Sequence, residues 1–264
     1  MSDQSSQPIV IERHDNIAVV VFNIPRRRNA LDEPARAALM AALQSLSSDP
    51  AVRAIVITGS DGHFCAGADV GAMKERPKTF VEQRNIIGIH THPIIKTLFA
   101  GPKPCVAAIE GVAFGMGLSL AAACDYVVAA DNARLCVAQL RVGLAPDVGI
   151  MWTLPRRVGE GKARELMLMA KEISAGTALS IGLVNETSAP GKSRAAAIEA
   201  ARALAAIPPM SMALVRSALA DRCSSFEETL KAEIDLQAVL ARSRDHAEAV
   251  AAFLEKRPPR YTGE

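Results

Sequence analysis

The chain has 264 residues, a formal net charge of +2 and 50% hydrophobic residues, few of them aromatic, so it is long enough for one large domain with an aliphatic core. The charge balance is too mild to indicate a nucleic-acid partner, and no apolar stretch is long enough to span a bilayer. The polar start, Met1 to Pro8, resembles neither a secretory nor a transit signal.

Strand and helix patterns alternate through the first two thirds of the chain. Ile9–Glu12 and Ile17–Phe22 flank a polar turn and predict a hairpin, and Leu31–Leu46 predicts a helix capped by Asp32. Further strands are predicted at Ala51–Thr58, Cys105–Ile109, Tyr126–Ala130 and Arg134–Val137. Further helices are predicted in the second part of Lys74–Phe99, with a break at Pro93, and at Leu118–Ala123, Met151–Val158 and Lys162–Ala170. This alternation predicts an α/β fold with crossover connections.

The composition changes after about Pro190, where helical periodicity continues with no strand pattern between the helices. The predicted helices are Ser193–Ala206, Ser211–Asp221, Phe226–Leu240 and Arg244–Lys256. We therefore predict a core over residues 1–192 and a helical region over 193–264. The apolar stripes of these helices favour contact with another copy of the chain; the alternative is that they fold back on their own domain.

Two segments share a pattern in which a β-type run opens into a turn of small residues. The run Ala54–Gly59 is followed by Phe64–Asp69 (FCAGAD), and the run Pro104–Gly111 is followed by Gly115–Gly117 (GMG). Such turns at a helix start expose backbone N–H groups in a positive potential. Two of them facing one another would hold an oxyanion.

Five segments resemble, in the right order, signature segments of the enoyl-CoA hydratase/isomerase (crotonase) superfamily. They are Pro25–Leu31, Phe64–Asp69, Gly111–Asp125, Gly143–Gly149 and Ala252–Arg257. The resemblance implies a crotonase-like spiral of ββα units and a helical C-terminal trimerisation region, giving a homotrimer or a dimer of trimers. It also implies an acyl-CoA substrate whose thioester is polarised as an enolate. Coenzyme A is then part of the substrate, and neither a separate cofactor nor a metal is expected.

The resemblance assigns the two oxyanion donors to the backbone N–H groups of Ala68 and Met116. Loss of one such donor typically costs about 3 kcal/mol in barrier height. Family members often have Gly where Met116 stands. Because only the N–H is used, Met fits there if its φ is negative.

The same resemblance places coenzyme A along the basic run Arg26, Arg27 and Arg28 and along Ala66 and Ala68. Guanidinium groups bind phosphates through bidentate, charge-assisted hydrogen bonds. The alternative for the arginines is a solvated basic surface. A weaker hypothesis gives a phosphate contact to Lys256 or Arg257.

The superfamily's hydratases use two glutamates, and matching the segments places these on Ser119 and Gln139. Neither residue is ionisable near neutral pH, so the two-carboxylate machinery for adding water is missing. Both are predicted to line the substrate pocket as hydrogen-bonding residues.

Asp147 is the carboxylate that remains nearby in the segment Gly143–Gly149. Family members with an acidic residue here include double-bond isomerases, in which one base moves a proton between Cγ and Cα. Burial would raise its pKa toward the useful range. The alternative is a helix N-cap. A further alternative is that Asp147 is a nucleophile, as in the family's dehalogenases, which have flanking aromatic residues and a helper histidine. In this chain Trp152 is the one tryptophan, and His90 or His92 would be the histidine.

The sequence therefore predicts an acyl-CoA enzyme, an enoyl-CoA isomerase with Asp147 as acid and base. The alternatives are an enoyl-CoA hydratase, a catalytically silent acyl-CoA-binding subunit, and a dehalogenase or thioester hydrolase. The cysteines are odd in number and scattered through apolar runs, which favours buried free thiols in a reducing compartment and a cytoplasmic location. They are Cys65, Cys105, Cys124, Cys136 and Cys223.

Overall fold

A computed structural model describes residues 7–74, 79–221 and 225–264. Its strands are β1 Ile9–His14, β2 Ile17–Phe22, β3 Ala54–Gly59, β4 Cys105–Ile109, β5 Val112–Phe114, β6 Tyr126–Ala130, β7 Arg134–Cys136, β8 Ile173–Ser174 and β9 Glu186–Ser188. Its α-helices are α1 Glu33–Ser48, α2 Phe80–Asn85, α3 His92–Ala100, α4 Met116–Ala122, α5 Ile150–Val158, α6 Glu160–Met169, α7 Ala175–Ser180, α8 Ser193–Ala205, α9 Pro209–Asp221, α10 Phe226–Leu240 and α11 Arg244–Glu255. A π-helical segment, Ile86–Thr91, joins α2 to α3.

The strands form two sheets. The larger has the order β1-β2-β3-β4-β6-β9, and the smaller has the order β5-β7-β8. The hairpin β1–β2 is antiparallel, as its sequence predicts, whereas β2, β3, β4, β6 and β9 pair in parallel. Parallel strands carry their carboxyl ends to the same edge of a sheet, so the turns after β3 and β4 emerge side by side.

The central strands of the larger sheet are buried on both faces, as expected of near-continuous apolar runs in parallel strands. Phe22, Ile55 and Ile57 point to the face that packs with α1 and α3. The alternate side chains of the same strands, including Val19 and Val56, pack against α8. Alternation along each strand thus supplies two apolar layers from one sheet.

Helix α8 belongs to the core of the sheet. Ala197, Ile198, Ala201 and Ala205 are buried against β2, β3, β4 and β6, because small side chains at helical spacing let the helix lie close to the sheet. The division after residue 192 therefore separates α8 from the core that it completes. The role of the last three helices in oligomerisation stays a prediction.

Helix α9 is tied to the core by a buried arginine. Arg216 is 4% exposed, and its Nε donates to Asp125 Oδ1 at 2.9 Å. Its Nη2 donates to the Leu98 carbonyl at 2.7 Å, and its Nη1 donates to that of Gly101. The guanidinium thus caps the end of α3 with its orphan carbonyls.

Most predicted elements are confirmed within one to three residues. Asp32 caps α1 by accepting a hydrogen bond from the Ala35 N–H at 3.0 Å. The break expected at Pro93 is instead the start of α3, which follows the π-helical segment without a loop. The short elements β5, β8, α7 and β9 were not predicted, because runs of two to six residues carry too little periodicity.

Among the described residues, no single helix is long and apolar enough to cross a membrane. One bent pair, Ser193–Ala205 with Pro209–Asp221, meets that test by length and composition alone.

Candidate active site

The two turns of the repeated pattern are joined directly by backbone hydrogen bonds. Cys65 N donates to Val112 O at 3.0 Å, and Phe114 N donates to Cys65 O at 3.0 Å. At Gly117 a Cβ would stand 2.3 Å from the Cys65 carbonyl oxygen, so only glycine allows this approach. The turn after β3 and the start of α4 are therefore packed as one unit.

The N–H groups of Ala68 and Met116 lie on this unit. Within the described residues neither N–H donates to a protein acceptor, as expected for groups that bind a ligand. A methyl group placed on Gly67 would stand 3.6 Å from Met116 N and 2.9 Å from Phe114 O, which shows how closely the two turns approach. That the two N–H groups share one oxyanion stays a prediction.

Met116 has the negative φ that its side chain requires. It is the first residue of α4, and the positive φ of 51° falls on Gly115. The glycine turns the chain, so Met116 adopts helical geometry and presents its N–H at the positive end of α4.

A third loop supports this unit from the other side. Ala66 N donates to Arg28 O at 3.0 Å, and Leu31 N donates to Gly67 O at 2.8 Å. Asn29, which is fully buried, holds this loop in place. Its Oδ1 accepts from Ile24 N at 2.9 Å, and its Nδ2 donates to the carbonyls of Ser60 and His63 at 2.9 and 2.7 Å.

The three arginines of this loop differ in their surroundings. Arg27 pairs with Asp32 at 2.8 Å and also with Asp69, so its guanidinium holds the loop to α1 and to the oxyanion turn. Arg26 and Arg28 are exposed, and within the described residues no ion pair is found for either. The structure leaves these two arginines available to phosphate.

Ser119, Gln139 and Asp147 meet in one cluster. Gln139 Nε2 donates to Asp147 Oδ1 at 3.2 Å and lies 3.5 Å from Ser119 Oγ. The Ser119 hydroxyl lies 3.1 Å from the carbonyl oxygens of Gly115 and Asp147. Because Gly115 precedes Met116, this cluster adjoins the oxyanion unit. The residues at the two glutamate positions thus contact the predicted base.

The Asp147 carboxylate does not act as a helix cap. Helix α5 begins at Ile150, and its N-cap is Gly149, with no side-chain cap. The alternative prediction, that Asp147 is a helix N-cap, is therefore wrong. Its carboxylate accepts a hydrogen bond from Gln139 instead. The turn places Gly149 against Ile95 of α3, where a Cβ would stand 2.8 Å from the isoleucine methyl.

The surroundings of Asp147 raise its pKa. Desolvation is the largest cause, and it outweighs the opposing effects of the Gln139 hydrogen bond and of the positive charge of Arg36. The residue itself remains accessible to solvent. A carboxyl with a raised pKa and one oxygen held by an amide is suited to accept and return a proton.

Sequence reasoning missed two residues of this region, Asn29 and Arg36. Asn29 has a φ of 58°, a conformation that asparagine adopts more readily than most residues, and its place beside the arginine run was the available signal. Arg36 lies on α1, donates to the Leu31 carbonyl at 3.3 Å and acts electrostatically on Asp147. Nothing local in the sequence indicates that contact.

Other candidates have structural roles. Cys65 is buried, and burial raises the pKa of its thiol to about 12, so it is an inert thiol rather than a nucleophile. Arg257 pairs with Glu248 and Glu255, which occupies the guanidinium considered for a phosphate contact. Cys223 lies outside the described residues, and so does the start of the chain through residue 6.

The dehalogenase pattern is only partly reproduced. Trp152 is covered by the Arg156 guanidinium, 3.1 Å from the ring centre, and His90 lies 3.7 Å from Glu33. No group of three His, Cys, Asp or Glu side chains placed to hold a metal ion is found in the described part of the chain.

Comparisons with known proteins place the chain in a family. Residues 12–264 match the family model described as enoyl-CoA hydratase/isomerase. A probable enoyl-CoA hydratase of Rhodobacter capsulatus is 36% identical over 98% of this chain and 99% of its own length. A 1,2-epoxyphenylacetyl-CoA isomerase of Escherichia coli is 31% identical over 94% of this chain and 95% of its own.

Solved structures of enoyl-CoA hydratases have the same fold as this chain. An enoyl-CoA hydratase from Bacillus anthracis superimposes with a TM-score of 0.91 at 28% identity, covering 98% of this chain and all of that one. Family model, relatives and fold coincide over nearly the whole length. The chain belongs to the enoyl-CoA hydratase/isomerase (crotonase) family.

Proposed function

We propose that this protein is an enoyl-CoA double-bond isomerase in which Asp147 moves the proton. The observation that carries the proposal is the cluster itself. The two positions at which the family's hydratases have glutamates hold Ser119 and Gln139, and Gln139 donates a hydrogen bond to the Asp147 carboxylate. One carboxylate suffices for isomerisation, whereas addition of water uses an acid and a base together.

The proposed reaction converts a 3-enoyl-CoA into a 2-enoyl-CoA. The Asp147 carboxylate removes a proton from Cα, and the electrons of the broken C–H bond pass into a dienolate whose oxygen is bound by the N–H groups of Ala68 and Met116. The same carboxyl then returns the proton to Cγ, and the double bond becomes conjugated with the thioester. Preorganised donors favour the charged intermediate over the neutral thioester.

Coenzyme A is proposed to lie along the loop that carries Arg26 and Arg28, whose guanidinium groups are exposed and have no ion pair among the described residues. Ala66 and Ala68 line the adjoining turn. Arg27 is assigned to the structure of the loop because Asp32 and Asp69 hold it.

We also propose self-association through the C-terminal helices, as a homotrimer or a dimer of trimers. Phe226, Ile234, Phe253 and Leu254 are exposed in the single chain, and such apolar faces are stabilised by burial between subunits. A light-scattering mass equal to one chain would contradict this assembly.

The competing function is an enoyl-CoA hydratase, which is favoured by the names of several relatives, including the one from Rhodobacter capsulatus. Purified protein incubated separately with 3-hexenoyl-CoA and 2-hexenoyl-CoA, followed by absorbance and mass, separates the candidates. Migration of the double bond with unchanged mass supports the isomerase. Gain of one water supports the hydratase, and binding without reaction supports a silent acyl-CoA-binding subunit.

A further inference from the structure

Helix α1 carries Arg36, a half-buried arginine whose guanidinium contacts the loop beside the oxyanion turn. Arg36 Nη1 donates to the carbonyl of Leu31 at 3.3 Å, and Leu31 is the residue whose backbone pairs with Ala68. On its other side the same positive charge acts on Asp147. Arg36 therefore lies near both the Ala68 turn and Asp147.

The hydrogen-bonding capacity of this region is not filled by the protein. Arg36 Nε is buried and has no partner in the described residues, and the same is true of His90 Nδ1 and Gln139 Oε1. Buried polar atoms without partners are costly in a finished core. An alkyl chain would leave the Arg36 donor unpaired, whereas an oxygen acceptor on the acyl group would accept a hydrogen bond from it.

The charges that face Arg36 do not neutralise it by direct contact. Glu33 on α1 lies 3.7 Å from His90, Asp32 is held by Arg27 and by the start of α1, and Asp147 is bonded to Gln139. Each nearby carboxylate has another partner, which leaves Arg36 Nε as a donor for something else.

We propose that the acyl group of the substrate carries an oxygen acceptor beyond the reacting carbons, and that the half-buried guanidinium of Arg36 binds it. The acceptor is a carbonyl or a carboxylate oxygen, since a guanidinium donates and does not accept. Arg36 then determines specificity, while Asp147 carries the chemistry. This inference rests on the acyl-CoA function proposed above.

Binding of saturated thioesters tests the proposal without any turnover. Hexanoyl-CoA, 5-oxohexanoyl-CoA and the CoA thioester of hexanedioic acid differ only at the far end of a six-carbon acyl group. Wild-type protein is expected to bind at least one oxygenated thioester about tenfold or more tightly than hexanoyl-CoA, the size of one hydrogen bond to a charged group. Preference for both oxygenated probes indicates a carbonyl acceptor, and preference for the diacid thioester alone indicates a carboxylate.

The variant Arg36→Met is expected to lose this preference. Arg164→Met, which removes an exposed arginine from α6, is the matched control and is expected to keep it. Equal affinity of the wild-type protein for all three thioesters would overturn the proposal, as would a preference that persists in Arg36→Met. The wild-type comparison stands even if the variant fails to fold. A preference found in a protein that does not isomerise 3-hexenoyl-CoA would contradict the proposed reaction and leave the role of Arg36 intact.

Discussion

Gln139 donates a hydrogen bond to Asp147, with 3.2 Å between its Nε2 and the carboxylate Oδ1. The resemblance places one of the two hydratase glutamates at the position of Gln139, and a second carboxylate here would repel Asp147. The amide instead orients one oxygen and favours the ionised form. Gln139 thus stands where a hydratase would have a glutamate, and it contacts Asp147, the carboxylate that we propose moves the proton without a second one.

The variant Gln139→Leu is expected to move the acid limb of the kcat/KM profile to higher pH. Desolvation already raises the pKa of Asp147, and the Gln139 hydrogen bond opposes that rise together with the charge of Arg36. Without the amide the pKa rises further, so the base is protonated at a higher pH. Ser119→Ala is the matched control, because Ser119 contacts the Asp147 backbone carbonyl and not its carboxylate. An unmoved acid limb in Gln139→Leu would refute this account of the contact.

Gly67→Ala is expected to lower kcat about 100- to 1,000-fold, the loss typical of a displaced oxyanion donor. The added Cβ would stand 2.9 Å from Phe114 O and 3.6 Å from Met116 N, so the two turns must separate. Gly62→Ala is the control. Gly67 has a φ of 107° and Gly62 has a φ of 71°, both in the range that favours glycine. A Cβ on Gly62 meets nothing within 4 Å. It carries the backbone strain without the displacement, and an equal loss of kcat in both variants would count against the oxyanion role.

Arg26→Met and Arg28→Met are each expected to weaken coenzyme A binding several-fold and to reduce its dependence on salt, because each removes one charge from a phosphate contact. Arg27→Met is expected to lower the thermal midpoint, since it breaks the pairs with Asp32 and Asp69. Calorimetric titration at two salt concentrations and thermal unfolding measure the two effects. If only Arg27→Met weakens coenzyme A binding and its thermal midpoint is unchanged, then Arg27, and not Arg26 or Arg28, is the phosphate contact.

Arg216→Met is expected to lower the free energy of unfolding by about 1 to 3 kcal/mol, the cost of leaving hydrogen-bonding groups without a partner, because the Asp125 carboxylate is partly exposed. The substitution leaves Asp125 without its partner and exposes the carbonyls of Leu98 and Gly101. Urea unfolding at a fixed protein concentration measures the change. The double variant with Asp125→Asn should lose less than the two single losses added together; strict additivity would show that the pair is not coupled.

Features that depend on neighbouring residues in the chain could be predicted from the sequence, and features that depend on distant residues could not. The hairpin, α1 and the turn at Phe64–Asp69 could be predicted because their periodicity and caps are local. The places of Asn29 and Arg36 in the site could not, since they depend on Ser60 and Asp147, which lie 31 residues or more away in the chain. The oxyanion turns were recognisable from small residues, whereas the contact between Gln139 and Asp147 depends on how the loop before α5 folds over α4.

The helix α8 shows a different limit. Its alanines carry the same helical periodicity as those of the three helices that follow, so the sequence groups all four together. In the structure α8 covers the sheet, because its small side chains match the face formed by alternate residues of β2, β3 and β4. Periodicity identifies a helix, but it does not say which surface the helix covers.

The most direct test compares wild-type protein with Asp147→Asn on 3-hexenoyl-CoA, with acyl-CoA affinity measured on the same samples. The amide keeps the size of the side chain and removes the base. We expect isomerisation to fall about 100- to 10,000-fold, the range for loss of a general base, while the affinity for hexanoyl-CoA stays within a few-fold. An Asp147→Asn variant that isomerises 3-hexenoyl-CoA at the wild-type rate would contradict the central claim.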